Sequence, residues 1–267
     1  MYSTLTISKH SKASGKIAGT HQRFDRIARR SLKKANPIGS VNFPTYREIL
    51  HFEGTNGPDA LKTKSPGVDE PMHFIIPGAD DGKLIQMIRD HQYNLKEALK
   101  NNNETRAAFE ASWLAHAITD GLTPAHHFPL EEAHKQLMTE DEYFELFGVP
   151  FKGVIKGETL KKTLKANWQY LGTNGYMTKH LAFEIGIILT LTSIPADRPF
   201  TPEITAEDLA EKDIDKIFYT AFEKVVALDM YNEFCEHGWT VKLLNQSREI
   251  LIPEIIKTIT LAWNSVL

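Results

Sequence analysis

The chain has 267 residues, of which 42% are hydrophobic and 24% are charged, and its formal net charge is −3. These values are ordinary for a soluble globular protein with a sizeable core, and the small net charge indicates no particular class of partner. The single cysteine, Cys235, excludes an internal disulfide and a cysteine-based zinc site. Any bound metal must therefore be held by His, Asp or Glu side chains.

The N-terminal segment carries no recognisable targeting signal. The sequence MYSTLTISKHSKASGK lacks a basic start followed by an apolar stretch, so we find no signal peptide. No apolar run elsewhere approaches the ~20 residues that a membrane span needs. We therefore expect a cytoplasmic protein, and no sequence feature requires an obligate protein partner.

The first part of the chain is predicted to form a basic helix followed by a long loop. Apolar residues at helical spacing predict a helix from about Lys16 to Ala35, in which many Arg and Lys residues face one acid, Asp25. Such a helix can attract phosphate groups or an anionic membrane surface, or its charges can form a solvated face. Residues 36–80 are rich in Pro and Gly, and a short helix is expected near Tyr46–His51.

The rest of the chain is also predicted to be helical. Pro253 should kink or restart the last helix, because proline cannot donate to the helical hydrogen-bond ladder. Residues 128–172 are expected to form an insertion or lid over one face. We find no strand alternation and no repeat, so the sequence predicts an all-α fold in a single domain, residues 1–267. The further predicted helices span residues 83–99, 105–121, 174–194, 213–237 and 240–266.

One motif combines His116, Asp120 and His126. His116 and Asp120 are four residues apart on a predicted helix and should project from one face. Gly121, in a left-handed turn, and Pro124 should end that helix, so that His126 can return to the same point. Imidazole and carboxylate groups that converge in this way fit a zinc-like divalent metal. The alternative is a capped helix end with a surface His–Asp pair.

Other metal-type residues occur where a helical protein has little structural need of them. His180 and Glu184 repeat the four-residue spacing on an apolar helix, where a carboxylate must be paired or metal-bound. His73 lies in an apolar loop, Asp59 follows Pro58, and His21 interrupts the first helix. Taken singly, His180 and Glu184 could be an intrahelical pair and His73 a core histidine. Asp59 could be a turn former and His21 a surface histidine.

Together, these motifs resemble the zinc-dependent phospholipase C and single-strand nuclease superfamily, which consists of all-α enzymes with a trinuclear zinc site. The resemblance covers most of the chain, and the motifs occur in the family's order. The terminal helix with Trp263 is also similar to the family's last helix. The matching segments are GTHQRFD around His21, Asp59 fourteen residues before His73, HFIIPGADDGK from His73, His116-x3-Asp120-x5-His126 with Pro124, and His180-x3-Glu184.

The resemblance implies a set of metal ligands and a reaction. It implies that one zinc ion is held by Asp59, His73, His116 and Asp120, and a second by His126, His180 and Glu184. It implies that the third is held by His21 and by Asp120, which it shares with the first. Two zinc ions would hold and deprotonate a bridging water while the cluster polarises the phosphodiester. Asp59 would orient or deprotonate that water as a general base.

The sequence departs from the family at its third zinc. In the family, this ion is also bound by the amino group and carbonyl of an N-terminal Trp. No Trp precedes His21 in this sequence, so the resemblance implies either two or three zinc ions per chain. His10 is the nearby substitute ligand, or else it is simply a residue of the N-terminal tail.

The final motif favours one of the two substrate classes in the superfamily. His180-x3-Glu184 is similar to the phospholipases, whereas the nucleases usually carry His-x3-Asp. We therefore expect a phospholipase C-type phosphodiesterase, with a phospholipid substrate and an anionic membrane surface as a partner. Two alternatives stay open: a single-strand nuclease or 3′-nucleotidase that acts on nucleic acid, and a non-catalytic helical metal-binding relative.

Overall fold

The computed structural model describes residues 19–53, 56–58, 74–78, 82–129, 159–193 and 202–267. Within these ranges the chain forms α-helices, short 3₁₀ turns and one π-helical turn, and no strand occurs there. The predicted all-α fold is therefore confirmed. The α-helices are α1 (Thr20–Ala35), α2 (Tyr46–His51), α3 (Lys83–Lys100), α4 (Glu104–Gly121), α5 (Leu160–Leu171), α6 (Tyr176–Thr192), α7 (Ala206–Ala210), α8 (Ile214–Val226), α9 (Met230–His237), α10 (Val241–Gln246) and α11 (Ile252–Asn264).

Helix α1 begins at Thr20, and one of its basic residues has a structural role. Its N-cap is Gly19, with a ψ of 176°, and the predicted start near Lys16 lies outside the described residues. The Arg29 guanidinium donates to the carbonyl oxygens of Ser40, Phe43 and Pro44 at 3.0, 3.0 and 2.7 Å. Arg29 therefore fixes the segment between α1 and α2.

Helix α4 is the central element and is buried along most of its length. It packs against α1, α2, α3 and α11. Its many alanines favour a helix and let neighbouring helices approach closely. The fully buried Trp263 of α11 donates its Nε1–H to the carbonyl oxygen of Ala111 at 3.0 Å. The polar side chains in the buried part of α4, which include His116 and Asp120, are excluded from water.

Gly121 is needed at the end of α4 for packing rather than for its backbone freedom. We predicted a left-handed turn at Gly121, and this was wrong: its φ is not positive, and the C-cap is Leu122, with φ −95° and ψ 1°. A Cβ on Gly121 would lie 2.8 Å from Phe218 Cζ and 2.9 Å from Leu84 Cδ2. Glycine therefore lets α8 and α3 close against α4.

The structure of the C-terminal region differs from the prediction at Asp229 and agrees with it near Pro253. The single helix expected over residues 213–237 is two helices, α8 and α9, because Asp229 adopts a left-handed conformation with φ 50°. The restart expected near Pro253 is confirmed: a π-helical turn at Ser247–Leu251 precedes α11, which has Pro253 in its first turn. Proline has no N–H to continue the α-helical ladder.

The expected insertion or lid at residues 128–172 falls mostly on residues 130–158, outside the described residues. Its last part is α5, which is capped by Thr159 and packs against α6. Helix α7, capped by Thr205, was not predicted.

Candidate metal centre

His116 and Asp120 face each other on the inner side of α4. Both side chains are buried, and His116 Nε2 lies 3.3 Å from Asp120 Oδ2. The four-residue spacing accounts for this pair, because residues i and i+4 lie above one another on a helix. The long-range packing of α4 removes the pair from water.

The first of two buried triads consists of His21, Glu53 and His116. They come from α1, from the residues after α2, and from α4, and their candidate ligand atoms all lie within 4.8 Å of one another. The two imidazole rings stack with centroids 3.8 Å apart and 7° between their planes. The Ser112 hydroxyl donates to Glu53 Oε1 at 3.2 Å, and this oxygen is 3.3 Å from His116 Nδ1.

The second triad consists of His126, His180 and Glu184 and is equally buried. Glu184 Oε1 lies 3.0 Å from His126 Nε2 and 3.1 Å from His180 Nε2. Phe74 covers these imidazoles, with its ring centroid 5.1 Å from that of His126 and 6.0 Å from that of His180. The Ile75 N–H donates to the carbonyl oxygen of His126 at 3.2 Å, which fixes this segment beside the triad.

Asp120 connects the two triads. Its Oδ1 lies 3.4 Å from His21 Nε2 and 3.8 Å from His126 Nδ1. Its Oδ2 faces His116 Nε2, as described above. One carboxylate therefore contacts imidazoles of both groups.

The pKa values of His126 and Glu184 in the second triad are both lowered, for different reasons. Removal from water lowers the pKa of the His126 imidazole to about 3, although the nearby Asp120 carboxylate acts in the other direction. Burial by itself would raise the pKa of Glu184, yet hydrogen bonds from His126 and His180 help to hold it well below its ordinary value. The triad therefore pairs a neutral imidazole with an ionised carboxylate, which are the protonation states that bind a metal.

Asp25 lies beside the first triad and is fully buried. Its pKa is raised well above the ordinary value, first by burial and then by the negative charge of Glu53, while the charge of His116 lowers it. Neither carboxylate oxygen has a hydrogen-bond partner in the structure. A buried carboxylate left in this state is energetically costly.

The two triads have the composition of metal sites. Zinc in proteins is bound by His nitrogen and Asp or Glu oxygen at about 2.0–2.2 Å, usually with four ligands. Each triad supplies two imidazoles and one carboxylate, and Asp120 offers oxygens to both. The residues therefore fit divalent metal ions, and two such groups occur among the described residues.

The structure brings together most of the residues that the sequence singled out. His126, His180 and Glu184 form one group, and His21, His116 and Asp120 meet beside it. The remaining predicted ligands fall outside the described residues; these are Asp59, His73 and the alternative ligand His10.

Sequence reasoning missed Glu53 and Asp25. The spacing His21-x3-Asp25 repeats that of the pairs on α4 and α6, so Asp25 could have been found. Glu53 lies in the loop after α2, and no periodicity marks it.

The described histidines that belong to none of the sequence motifs described above have other partners or lie at the surface. The His127 Nε2–H donates to the carbonyl oxygen of Gly121 at 2.9 Å, so this side chain faces away from the triads. His91 Nδ1 lies 2.5 Å from Glu110 Oε2, a fully buried carboxylate that also pairs with Arg106. His51 and His237 are exposed, and His134 falls outside the described residues.

Comparison with known proteins found no match among protein-family models, curated proteins or solved structures. Among the helices that the structure describes, none combines the length and the apolar character needed to cross a membrane. We therefore infer the function from the site itself and from the motifs in the sequence.

Proposed function

We propose that the chain is a zinc-dependent phosphodiester hydrolase of the phospholipase C type. One observation carries the proposal: two buried His–carboxylate triads meet at Asp120 in an all-α fold. Adjacent metal sites that share a carboxylate are suited to phosphoryl chemistry, because the charge of the phosphodiester and of the leaving oxygen must both be stabilised. The ordered sequence motifs support the same conclusion.

Under this proposal, zinc would be held by His21, Glu53 and His116 on one side and by His126, His180 and Glu184 on the other. Bound zinc would supply a Lewis acid that polarises a phosphodiester oxygen and lowers the pKa of a coordinated water. Asp59 stays the proposed general base, on the strength of the resemblance alone.

The protein side chains prepare this site in the absence of substrate. Burial keeps the His126 imidazole neutral, so that its lone pair is available without loss of a proton. The hydrogen bond from Ser112 holds Glu53 against His116 Nδ1, which orients the ring. Phe74 excludes water from the second triad by covering two of its imidazoles.

A phospholipid substrate is favoured by exposed apolar side chains on α5 and α6. Leu164 and Trp168 on α5 are 63% and 68% exposed, and Ile185 and Leu189 on α6 are 42% and 62% exposed. Helix α6 also carries two members of the second triad. Trp is favoured at the interface of a membrane, and the exposed lysines of α5 would attract anionic lipid headgroups.

The test is the substitution Asp120→Asn, with Asp90→Asn on the exposed face of α3 as the control. The amide keeps the shape of Asp120 but removes the shared negative charge. We expect the zinc-loaded wild type to hydrolyse phosphatidylcholine, and the variant to lose zinc and at least about 100-fold in rate, the scale of losing one site that stabilises transition-state charge. Zinc is measured by elemental analysis of protein purified without chelator.

The outcomes separate three functions. Cleavage of phosphatidylcholine but not of single-stranded DNA or RNA supports the phospholipase. The reverse preference establishes a nuclease or nucleotidase with the same site. Bound zinc without cleavage of either substrate leaves a non-catalytic metal-binding protein. Absence of zinc from the folded wild type would refute the proposal.

A further inference from the structure

We infer that Asp25 is a metal ligand, and that it completes with His21, Glu53 and His116 a site of two imidazoles and two carboxylates. This inference deepens the proposed function, on which it rests for the identity of the metal. It adds to that site a residue that the sequence resemblance does not include. The role concerns metal binding and does not depend on which phosphodiester is cleaved.

The burial of Asp25 is the first reason. Its side chain has no exposed surface, and neither of its oxygens accepts or donates a hydrogen bond within the structure. Protonation would remove the charge but would leave a hydroxyl with no acceptor. A bound cation would coordinate the carboxylate oxygens and also neutralise their charge. Buried carboxylates are for this reason either paired or coordinated to a metal.

The neighbouring charges supply no such cation. Glu53 and His116 are the charged groups close enough to act on the Asp25 carboxyl. In the described part of the chain, neither Asp25 nor Glu53 forms an ion pair with Lys or Arg. The adjacent basic residue Arg26 lies over the Tyr46 ring, 5.4 Å from its centroid. Two buried carboxylates are thus left together with two imidazoles, a set that a divalent ion would neutralise.

The helix geometry is the second reason. Asp25 follows His21 by four residues on α1, so both side chains project from the same face. The same spacing links His116 with Asp120 on α4 and His180 with Glu184 on α6, and in both of these pairs the imidazole and the carboxylate are in contact. Each of the three helices would then contribute one imidazole and one carboxylate to the metal centre.

Four zinc ligands are the usual number in a structural site. The first triad supplies three whose ligand atoms lie within 4.8 Å of one another. Asp25 lies outside that group and would supply the fourth from the same helix as His21. With both carboxylates ionised, the site would balance the double positive charge of the metal.

The experiment compares Asp25→Asn with Ser31→Ala. Ser31 is a second buried polar residue of α1 whose hydroxyl has no partner, and it serves as the control for changes inside this helix. We expect Asp25→Asn to lose one zinc per chain, or to bind it at least about tenfold more weakly in competition with a chelator. In zinc-free protein the same variant should unfold at an equal or higher temperature than the wild type, because a buried unpaired carboxyl has been removed. Ser31→Ala should keep the wild-type zinc content.

A second variant reports contact with the metal directly. Asp25→Cys, loaded with cobalt, should show a near-ultraviolet charge-transfer band from thiolate to cobalt that the wild type, with its single Cys235, lacks. This measurement needs no enzymatic activity, and it also applies if Asp25→Asn folds poorly without zinc.

Two results would overturn the inference. One is an Asp25→Asn protein with the zinc content and zinc affinity of the wild type. The other is fully cobalt-loaded Asp25→Cys protein without a charge-transfer band. If the proposed function is wrong but the inference about Asp25 holds, zinc binding depends on Asp25 while no phosphodiester is cleaved.

Discussion

His126 and His127 are neighbours in the chain, yet their imidazoles have different partners. His126 Nε2 lies 3.0 Å from Glu184 Oε1 in the second triad. His127 donates to the carbonyl oxygen of Gly121 and packs edge-on against Phe222, with ring centroids 4.9 Å apart. The 3₁₀ turn at Pro124–His127 separates the two side chains, so that one belongs to the candidate site and the other to the support of α4.

The protonation of His127 should make the zinc-free protein sensitive to acid. Burial lowers the pKa of this imidazole from 6.5 to about 4. Between these values the unfolded chain binds more protons than the folded one, so stability falls as the pH decreases from about 6.5 towards 4. Between pH 7 and pH 5, chelator-treated wild type should lose about 1–2 kcal/mol more unfolding free energy than His127→Gln.

Urea unfolding at the two pH values measures this difference. Gln can still donate to the carbonyl oxygen of Gly121 but does not titrate, so it serves as a conservative replacement. An equal loss of stability in the wild type and the variant would show that His127 does not titrate differently on folding.

Helix α6 combines two environments on one element. His180 and Glu184 face the buried triad, while Ile185 and Leu189 face outwards. Trp239 packs against Gly186 and donates its Nε1–H to the carbonyl oxygen of Ala182 at 3.1 Å. A Cβ on Gly186 would lie only 1.8 Å from the Trp239 ring, so glycine is needed for this contact. The helix is thereby fixed with one face towards the buried second triad and another towards solvent.

The exposed face of α5 and α6 should bind lipid if the substrate is a phospholipid. We expect Trp168→Ser to weaken binding to vesicles of phosphatidylcholine and phosphatidylserine by at least about tenfold, since an inserted aromatic side chain contributes about 1.5–3 kcal/mol. Hydrolysis of a soluble phosphodiester should be unchanged. Tyr93→Ser on α3, where the side chain is 64% exposed, is the control. Equal sedimentation of wild type and Trp168→Ser with vesicles would argue against this face.

Across the whole molecule, the candidate ligands come from elements that are far apart in the chain. His21 lies on α1, Glu53 follows α2, His116 and Asp120 lie on α4, and Glu184 lies on α6. All of these side chains are buried, so the charged groups among them oppose folding unless they are neutralised. A metal that binds only the folded arrangement should therefore stabilise the entire domain.

Zinc removal tests this coupling. At a free zinc concentration of 100 times the dissociation constant, each site should contribute about 2.7 kcal/mol. For a protein of this size, that corresponds to a rise in melting temperature of several degrees, since 1 kcal/mol shifts it by about 2–4 °C. Thermal unfolding with zinc and with chelator measures the rise, and magnesium at the same concentration is the control, because it prefers all-oxygen sites. Identical melting curves with and without zinc would contradict a folded-state metal site.

Features that depend on local spacing could be predicted from the amino-acid sequence. The periodicity of apolar residues predicted α3 and α4 to within one residue at each end, and Pro253 predicted the restart before α11. The four-residue spacings identified the pairs His116–Asp120 and His180–Glu184, because the geometry of a single helix brings residues i and i+4 together.

Which of the candidate ligands meet in space depends on how the helices pack. Glu53 joined the first triad through the packing of the loop after α2 on α4, and Asp25 became a candidate ligand because its burial left it without a partner. The close packing at Gly121 also depends on neighbours distant in the chain. Local propensity and spacing carry no information about such neighbours, since burial and long-range contact arise only when the helices pack against one another.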